Sequence, residues 1–261
     1  IRVADRVLND HFAGTYSAYL RLESDVAEAA PARLRSRTQS ILDEAARNDV
    51  AIGDAWQALR DEARAERGRI DAQLEFLGSA IADRLFDAPA AAAPYWEDLL
   101  TAVDETRGAL NYFQRPSVLR YLADVEAALT ESPEVGKVNG LPDLVRTVYR
   151  ELRSGEDADY RIPDSRRAVA QTILSFQGSH RPHDLWRMVT PDYQAANLWL
   201  QLTSGDNQDM QAVIDRAQAY VDANPLPAGV TMDWGGLNYI NVVWQDAMVK
   251  GMAQSLAIAW V

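Results

Sequence analysis

Two stretches of the chain alternate apolar and polar residues with a period of two, which is typical of half-buried β-strands. In residues 15–22 one face carries Tyr16, Ala18, Leu20 and Leu22, and the other carries Thr15, Ser17, Tyr19 and Arg21. In residues 196–203 one face carries Leu198, Leu200 and Leu202. The pattern predicts two strands that each bury one face and leave the other face open.

Residues 24–113 are instead rich in Ala, Arg, Glu, Asp and Leu, and apolar residues recur there every three or four positions. This pattern predicts three helices, at roughly 32–48, 52–87 and 94–113, separated by Asp49 and Gly53 and then by Pro89 and Pro94. The middle helix carries a heptad-like apolar seam. Two interpretations stay open: a hairpin or small bundle whose stripes face one another, or a helical tip that is offered to a partner.

The rest of the chain repeats one order of elements. Strand 15–22, helix 117–131, a proline, strand 135–138, a Gly-Leu pair and helix 142–152 form the first half. Strand 196–203, helix 207–222, prolines, strand 229–234, a Gly-Leu pair and a last helix form the second, after a helix near 164–176. Residues 2–12 also favour a helix. Two βαβ units of this size predict an α+β, ferredoxin-like sheet of four strands with two helices on one face.

This repeat predicts two domains. A discontinuous ferredoxin-like domain comprises residues 1–23 and 114–261, and residues 24–113 are an all-helical insertion in its first crossover. Long insertions in such surface connections are tolerated.

The last stretch of the sequence changes character along its length. After Gly235 and Gly236 an amphipathic helical pattern begins, and no formal charge follows Lys250. We expect the natural chain to continue from here into a membrane, so that these 261 residues are a fragment of a larger protein. No uninterrupted apolar run within them reaches the roughly 20 residues that a spanning helix needs, and the first residues lack the features of a signal peptide.

Composition narrows the classes of function. Hydrophobic residues make up 48% of the chain and charged residues 25%, which is typical of a globular protein. The net charge of -12 argues against a nucleic-acid partner, because phosphate binding needs clustered Lys and Arg. The chain has no cysteine, which excludes a disulfide framework and a thiolate metal site.

Sequence motifs of catalysis are missing. There is no dinucleotide-binding or P-loop glycine pattern, no HExxH and no GxSxG. His180 and His183 are interpreted as a loop pair and not as metal ligands, since Pro182 breaks any helix that would align them and His11 is far away in sequence. We therefore predict no enzyme, no catalytic residue, no cofactor and no metal site.

The open face of the predicted sheet carries the more informative side chains. Alternation places Tyr19 and Arg21 on it in one strand, and Asn197, Trp199 and Gln201 in the other. Exposed aromatic side chains on a sheet need a covering. Either a neighbouring subdomain or subunit packs there, or the face is the wall of a path for an amphipathic ligand. Tyr19 and Trp199 are the candidate substrate-path residues.

Three segments carry a resemblance to a known family. Residues 1–16, IRVADRVLNDHFAGTY, resemble the segment after an odd-numbered span in exporters of the resistance–nodulation–division (RND) superfamily, MMPL-like branch. Residues 132–144, SPEVGKVNGLPDL, resemble that family's helix, proline, short strand and Gly-Leu segment, and the WGGL run from Trp234 to Leu256 resembles the approach to the next span. Residues 24–113 are outside the common pattern.

The resemblance implies a periplasmic porter domain of a proton-driven exporter at the bacterial inner membrane. It implies membrane spans and a second porter domain in the same chain as partners, a hydrophobic or lipid-like substrate, and a proton relay within the spans. A periplasmic partner at the 24–113 helices is compatible with it. The alternative is a soluble envelope interaction or adaptor module that acts through those helices, and an enzyme requires convergent titratable groups in a closed pocket.

Overall fold

The computed structural model describes residues 14–66 and 70–259. The helix expected at residues 2–12 lies outside the described residues. The chain divides into two compact units. One, here the sheet unit, holds the residues up to Ser24 and from Phe113 onward; the other, the helical unit, is Asp25–Tyr112. The boundaries expected from composition were 24 and 113.

The sheet unit is built on a four-stranded antiparallel sheet, so the chain is an α+β protein. Its strands are β1 (Tyr16–Ser24), β2 (Val135–Asn139), β3 (Ala195–Leu202) and β4 (Val230–Gly235), and the spatial order is β2-β3-β1-β4. β1 and β2 both run antiparallel to β3, and β3 and β4 both run antiparallel to β1. β1 is therefore parallel to β2, and β3 is parallel to β4. A crossover connection joins the two strands of each parallel pair.

Burial along β1 and β3 follows the period of two. Leu20 and Leu198 are fully buried, whereas Tyr19 and Trp199 are exposed. The large apolar residues at alternate positions explain this, since successive side chains of a strand point to opposite faces. The exposed side is called the open sheet face below.

The helical unit consists of four described helices around its own apolar core. They are α1 (Val26–Arg47), α2 (Gly53–Glu66), α3 (Ile70–Phe86) and α4 (Ala93–Leu110). Helix α4 packs against α1 and α3, and α2 packs against α3. The core includes Ile41, Trp56, Leu59, Leu74, Ile81, Trp96, Leu99 and Val103. This arrangement is a small bundle whose apolar stripes face one another.

Two helix predictions in this unit are wrong. Residues 52–87 do not form one helix, because α2 and α3 pack against each other, which two halves of one straight helix do not do. The heptad-like seam is real, but it is shared between two helices. The first helix begins at Val26 and not at about 32, with Pro31 inside it. Proline is best tolerated near the start of a helix, where few N–H groups have an intrahelical partner.

Helices of the sheet unit follow their predicted places closely. They are α5 (Pro116–Thr130), α6 (Leu141–Leu152), α7 (Arg166–Gln177), α8 (Asn207–Ala223) and α9 (Leu237–Ala259). Helix α5 packs against α8 and β2, and both helices bury an apolar stripe. The Asp206 carboxylate caps α8 by accepting from the backbone N–H of Gln208 at 3.0 Å.

The first part of helix α9 packs against α8, β1 and β4. The Asn238 side-chain amide donates to the carbonyl of Ser17 at 3.2 Å, and the Asn207 amide donates to Gln245. Large apolar side chains along the helix are nevertheless exposed: Leu237, Ile240, Val243, Trp244, Met248, Val249 and Met252. Among the described residues, no helix has the length and apolar character that crossing a membrane demands.

Candidate functional site

One row of residues crosses the open sheet face from strand to strand. Trp199 in β3 lies directly opposite Tyr19 in β1 and opposite Asn139 in β2. Tyr19 in turn lies opposite Gly235 in β4. Directly opposed side chains in antiparallel strands stand about 4.5–5.5 Å apart at Cβ, so these groups form one continuous surface. Tyr19 and Trp199 are 38% and 37% exposed, which leaves both rings available to a ligand.

A cavity of about 700 Å³, here the sheet cavity, lies over this row. The sheet contributes four of its lining residues, and the segment around a short 3-10 helix at Pro182–Arg187 contributes the others. Its lining residues are Tyr19, Asn139, Asp184, Arg187, Met188, Asn197 and Trp199. Binding sites for small molecules typically have volumes of about 300–1,000 Å³, so the sheet cavity has the size of a ligand site.

Asn197 holds the second wall of the sheet cavity in place. Its backbone N–H donates to the carbonyl of Met188 at 2.8 Å, and its side-chain amide donates to the carbonyl of Arg187 at 3.2 Å. Val189 and Ala196 add an antiparallel bridge. Leu185, fully buried, fixes the 3-10 helix to the core. The wall is therefore tied to β3, next to Trp199.

The lining combines apolar surface with a few polar groups. Two aromatic rings and Met188 offer apolar contact, and the side chains of Asn139 and Asn197 offer amides. The carboxylate of Asp184 and the guanidinium of Arg187 are 4.0 Å apart, with side chains 43% and 77% exposed. An exposed pair of this kind binds weakly and is free to exchange partners. The combination suits an amphipathic ligand better than a purely apolar or a purely ionic one.

The structure brings some of the predicted face residues together and leaves others apart. The sheet cavity is lined by three of them, Tyr19, Trp199 and Asn197. Gln201 lies two residues beyond Trp199 in β3, opposite Ser17. Arg21 lies opposite Asn197, where its guanidinium pairs with Glu23 at 2.8 Å. Arg21 and Gln201 therefore share the face without lining the cavity.

Sequence reasoning missed four of the lining residues. Asn139 could have been predicted from the sequence. It follows Val138, which is buried, and successive side chains of a strand point to opposite faces, so Asn139 lies on the open side. The sequence contains no such pattern for the other three, Asp184, Arg187 and Met188, because a short loop segment does not indicate which strand it will pack beside. His183 belongs to the same 3-10 helix. No cluster of three His, Asp or Glu suited to a metal occurs in residues 14–66 or 70–259.

A cluster of charged side chains lies elsewhere in the sheet unit, between α5 and α6. The Glu126 carboxylate is 5% exposed, and its Oε2 accepts from Nη2 of Arg146 at 3.0 Å. The same Arg146 nitrogen donates to Oδ1 of Asp143, also at 3.0 Å. Glu126 Oε1 has no hydrogen-bond partner in the described part of the chain. A groove of about 410 Å³ opens beside this cluster.

Burial is the main influence on the acidity of this carboxyl. It raises the pKa of Glu126 to about 8, nearby Asp143 adds to the rise, and the charge and hydrogen bond of Arg146 oppose it. The signal in the sequence was the spacing, since Glu126 follows Leu122 by four and precedes Leu129 by three positions. That spacing places it on the buried stripe of α5, where burial disfavours the charged form of a carboxyl group.

Comparisons with known proteins give no neighbour for either site. No family model, curated protein or solved structure matches this chain. The membership of the RND superfamily that the sequence resemblance implies therefore stays a prediction, and the function proposed below is inferred from the resemblance and the geometry of the sheet unit.

Proposed function

We propose that this chain is the extracytoplasmic porter domain of a proton-driven exporter of the RND superfamily, MMPL-like branch, at the periplasmic face of the bacterial inner membrane. The domain takes up hydrophobic or amphipathic substrates and passes them outward. Its partners are the membrane spans and a second porter domain of the same chain. The observation that carries the proposal is the pair of Tyr19 and Trp199 on the wall of a cavity of about 700 Å³.

Strand order supports the porter fold. The order β2-β3-β1-β4 arises when two βαβ units interleave their strands, so that each crossover spans one strand of the other unit. In the first unit the crossover carries α5, and in the second it carries α8. This strand order supports the ferredoxin-like arrangement that the RND resemblance implies. The helical unit occupies the first crossover as an insertion.

Helix α9 supports a membrane attachment. Trp244 is 65% exposed and Met252 is 54% exposed, and other apolar residues of the helix are similarly open. Soluble surfaces rarely present so many large apolar side chains along one helix. A helix that leads from the sheet into lipid exposes apolar side chains in this way. Because Asn238 ties its start to β1, movement of α9 acts directly on the open sheet face.

The sheet cavity can select amphipathic ligands through apolar contacts and hydrogen bonds. The rings of Tyr19 and Trp199 contact apolar parts of a substrate through area and shape, without demanding one chemical group. The amides of Asn139 and Asn197 pair with a polar end and so orient it. Broad acceptance of amphipathic molecules follows from this combination.

The proposal is tested by the gene and by the membrane fraction of the cell. The reading frame on each side of these codons must encode an apolar run of about 20 residues. The native protein must also stay in the membrane pellet after an alkaline carbonate wash, with the sheet unit open to protease from the periplasmic side only. A native protein that the wash releases contradicts the exporter.

One observation favours a second function, that of a soluble envelope adaptor which acts through the helical unit. Phe86, at the end of α3, is 91% exposed. Large aromatic side chains are enriched at protein–protein interfaces and are often their anchors. In that case the wash releases the native protein, and Phe86→Ser abolishes its function. The exporter proposal expects transport to continue with Phe86→Ser.

A further inference from the structure

The helical unit contains a cavity of its own, of about 280 Å³. It lies among all four helices of the unit, with Thr106 as the contribution of α4, and is called the helical-unit cavity. Trp56, Leu74 and Leu77, all buried, form part of its apolar lining. An apolar protein cavity of about 150 Å³ is enough to hold benzene. The helical-unit cavity therefore has room for a short aliphatic chain.

A buried donor without an acceptor lies in this lining. The Trp56 side chain is 2% exposed, and its indole N–H has no hydrogen-bond partner within the described residues. Buried indole N–H groups usually find a partner, and a buried donor left unpaired is costly. A ligand oxygen that accepts from this N–H would remove that cost.

Arginines line the same cavity. Arg35 comes from α1, and Arg60 and Arg64 come from successive turns of α2. In residues 14–66 and 70–259 none of these three guanidinium groups has an ion pair. In a chain of net charge -12, three unpaired cations around one apolar cavity form a local positive site. No carboxylate lines the cavity among the described residues.

We propose that the helical-unit cavity binds an anionic amphiphile with a single short acyl chain, whose head is a carboxylate or a phosphate. The chain fills the space beside Leu74 and Leu77, and the head accepts hydrogen bonds from the guanidinium groups and the Trp56 indole. Guanidinium matches the geometry of carboxylate and phosphate oxygens, and it loses less on leaving water than an ammonium does. This site is independent of the exporter proposal and of the sheet cavity.

Titration calorimetry with decanoate, below its micelle concentration, tests the site on the 261-residue chain. Decyl phosphate, decyltrimethylammonium and inorganic phosphate are the comparison ligands. We expect decanoate and decyl phosphate to bind the helical-unit cavity, and the cation of equal tail length to bind it at least about tenfold more weakly. Equal binding of the cation, no binding of decanoate, or tight binding of inorganic phosphate alone overturns the proposal.

Variants locate the site. Arg60→Gln should weaken decanoate about tenfold, and Trp56→Phe, which keeps an aromatic ring and removes the N–H, should weaken it by a smaller factor. Arg33→Gln, an exposed arginine of α1 outside the lining, should bind decanoate as the wild type does. Circular dichroism checks that each variant is folded. Binding that is lost with Trp199→Ala and kept with Arg60→Gln also overturns the proposal.

Discussion

Gly236 lies against the ring of Tyr19. A Cβ atom built on Gly236 would stand 3.2 Å from Cδ2 of Tyr19 and 3.3 Å from the carbonyl oxygen of Ser17. The backbone there has a φ of 100°, which glycine adopts far more easily than other residues. The turn that begins α9 is therefore packed directly against one of the two rings of the sheet cavity.

We predict that Gly236→Ala destabilises the sheet unit by about 1–3 kcal/mol, since it adds both backbone strain and a close contact. Chemical denaturation followed by circular dichroism measures the loss. Gly251→Ala is the matched control within α9, because its Cβ would meet no atom of the described residues within 4 Å, apart from the adjoining backbone of the helix itself. Alanine is the better helix former, so the control should be neutral or more stable by up to about 1 kcal/mol. Equal effects of both substitutions would contradict the packing described.

Glu126 makes stability depend on pH. Its pKa is raised from 4.5 to about 8 in the folded chain, first by burial and then by Asp143. The folded state therefore holds the proton more tightly than the unfolded state does. The resulting stabilisation is fully present below pH 4.5 and is lost as pH rises through about 8. One proton changes the free energy of unfolding by at most about 1.4 kcal/mol per pH unit.

Denaturation of the wild type and of Glu126→Gln across this pH range checks the prediction. The wild type should lose stability relative to the variant as pH rises, because glutamine has no proton to release. Glu156→Gln, at an exposed position of the same unit, should leave the wild-type pH dependence unchanged. A Glu126→Gln profile parallel to that of the wild type would show that this carboxyl does not titrate differently on unfolding.

Gly140 leaves room for the same carboxyl. A Cβ atom at Gly140 would overlap Oε1 of Glu126 and stand 2.5 Å from Cδ2 of Leu198. We predict that Gly140→Ala costs about 1–3 kcal/mol of unfolding free energy, the usual range for overpacking a core. Gly178→Ala is the control, since its Cβ would meet its nearest neighbour at 3.5 Å, an ordinary contact. Thermal unfolding that ranks the control as the more damaging change would refute this packing.

Alternation in the sequence predicted which side chains of β1 and β3 leave the core. The period of a strand is two and the apolar residues are large, so Leu20 and Leu198 allow one choice of face. The opposition of Tyr19 and Trp199 did not follow from the sequence. Strand register depends on pairing between residues 180 positions apart, and no local pattern records it.

Other parts of the site depend on tertiary packing that has no local signal. Met188 reaches the sheet cavity because Asn197 binds its carbonyl, a contact between a loop and a strand. Gly140 lies beside Glu126 because α6 begins directly after β2, and both α6 and β2 pack against α5. The break between α2 and α3 was hidden for a different reason, because the apolar seam continues through both helices without losing its spacing.

The exporter proposal requires substrate to contact the open sheet face, and replacing Trp199 tests that contact. In an aromatic binding surface, truncation of an anchor residue to alanine commonly costs about 2 kcal/mol or more, which exceeds a tenfold change. We therefore expect Trp199→Ala to reduce transport strongly at unchanged protein level. Trp186→Ala is the matched control: Trp186 is 38% exposed, packs edge-on against Tyr193, and does not line the sheet cavity.

The deciding measurement is efflux of an amphipathic fluorescent dye, N-phenyl-1-naphthylamine, from cells that produce the full-length membrane protein. The amount of folded protein in the membrane is quantified in parallel. We predict that Trp199→Ala lowers efflux about tenfold at equal protein amount, while Trp186→Ala transports as the wild type does. Wild-type efflux by Trp199→Ala, or an equal loss with both substitutions, would contradict a substrate path along the open sheet face.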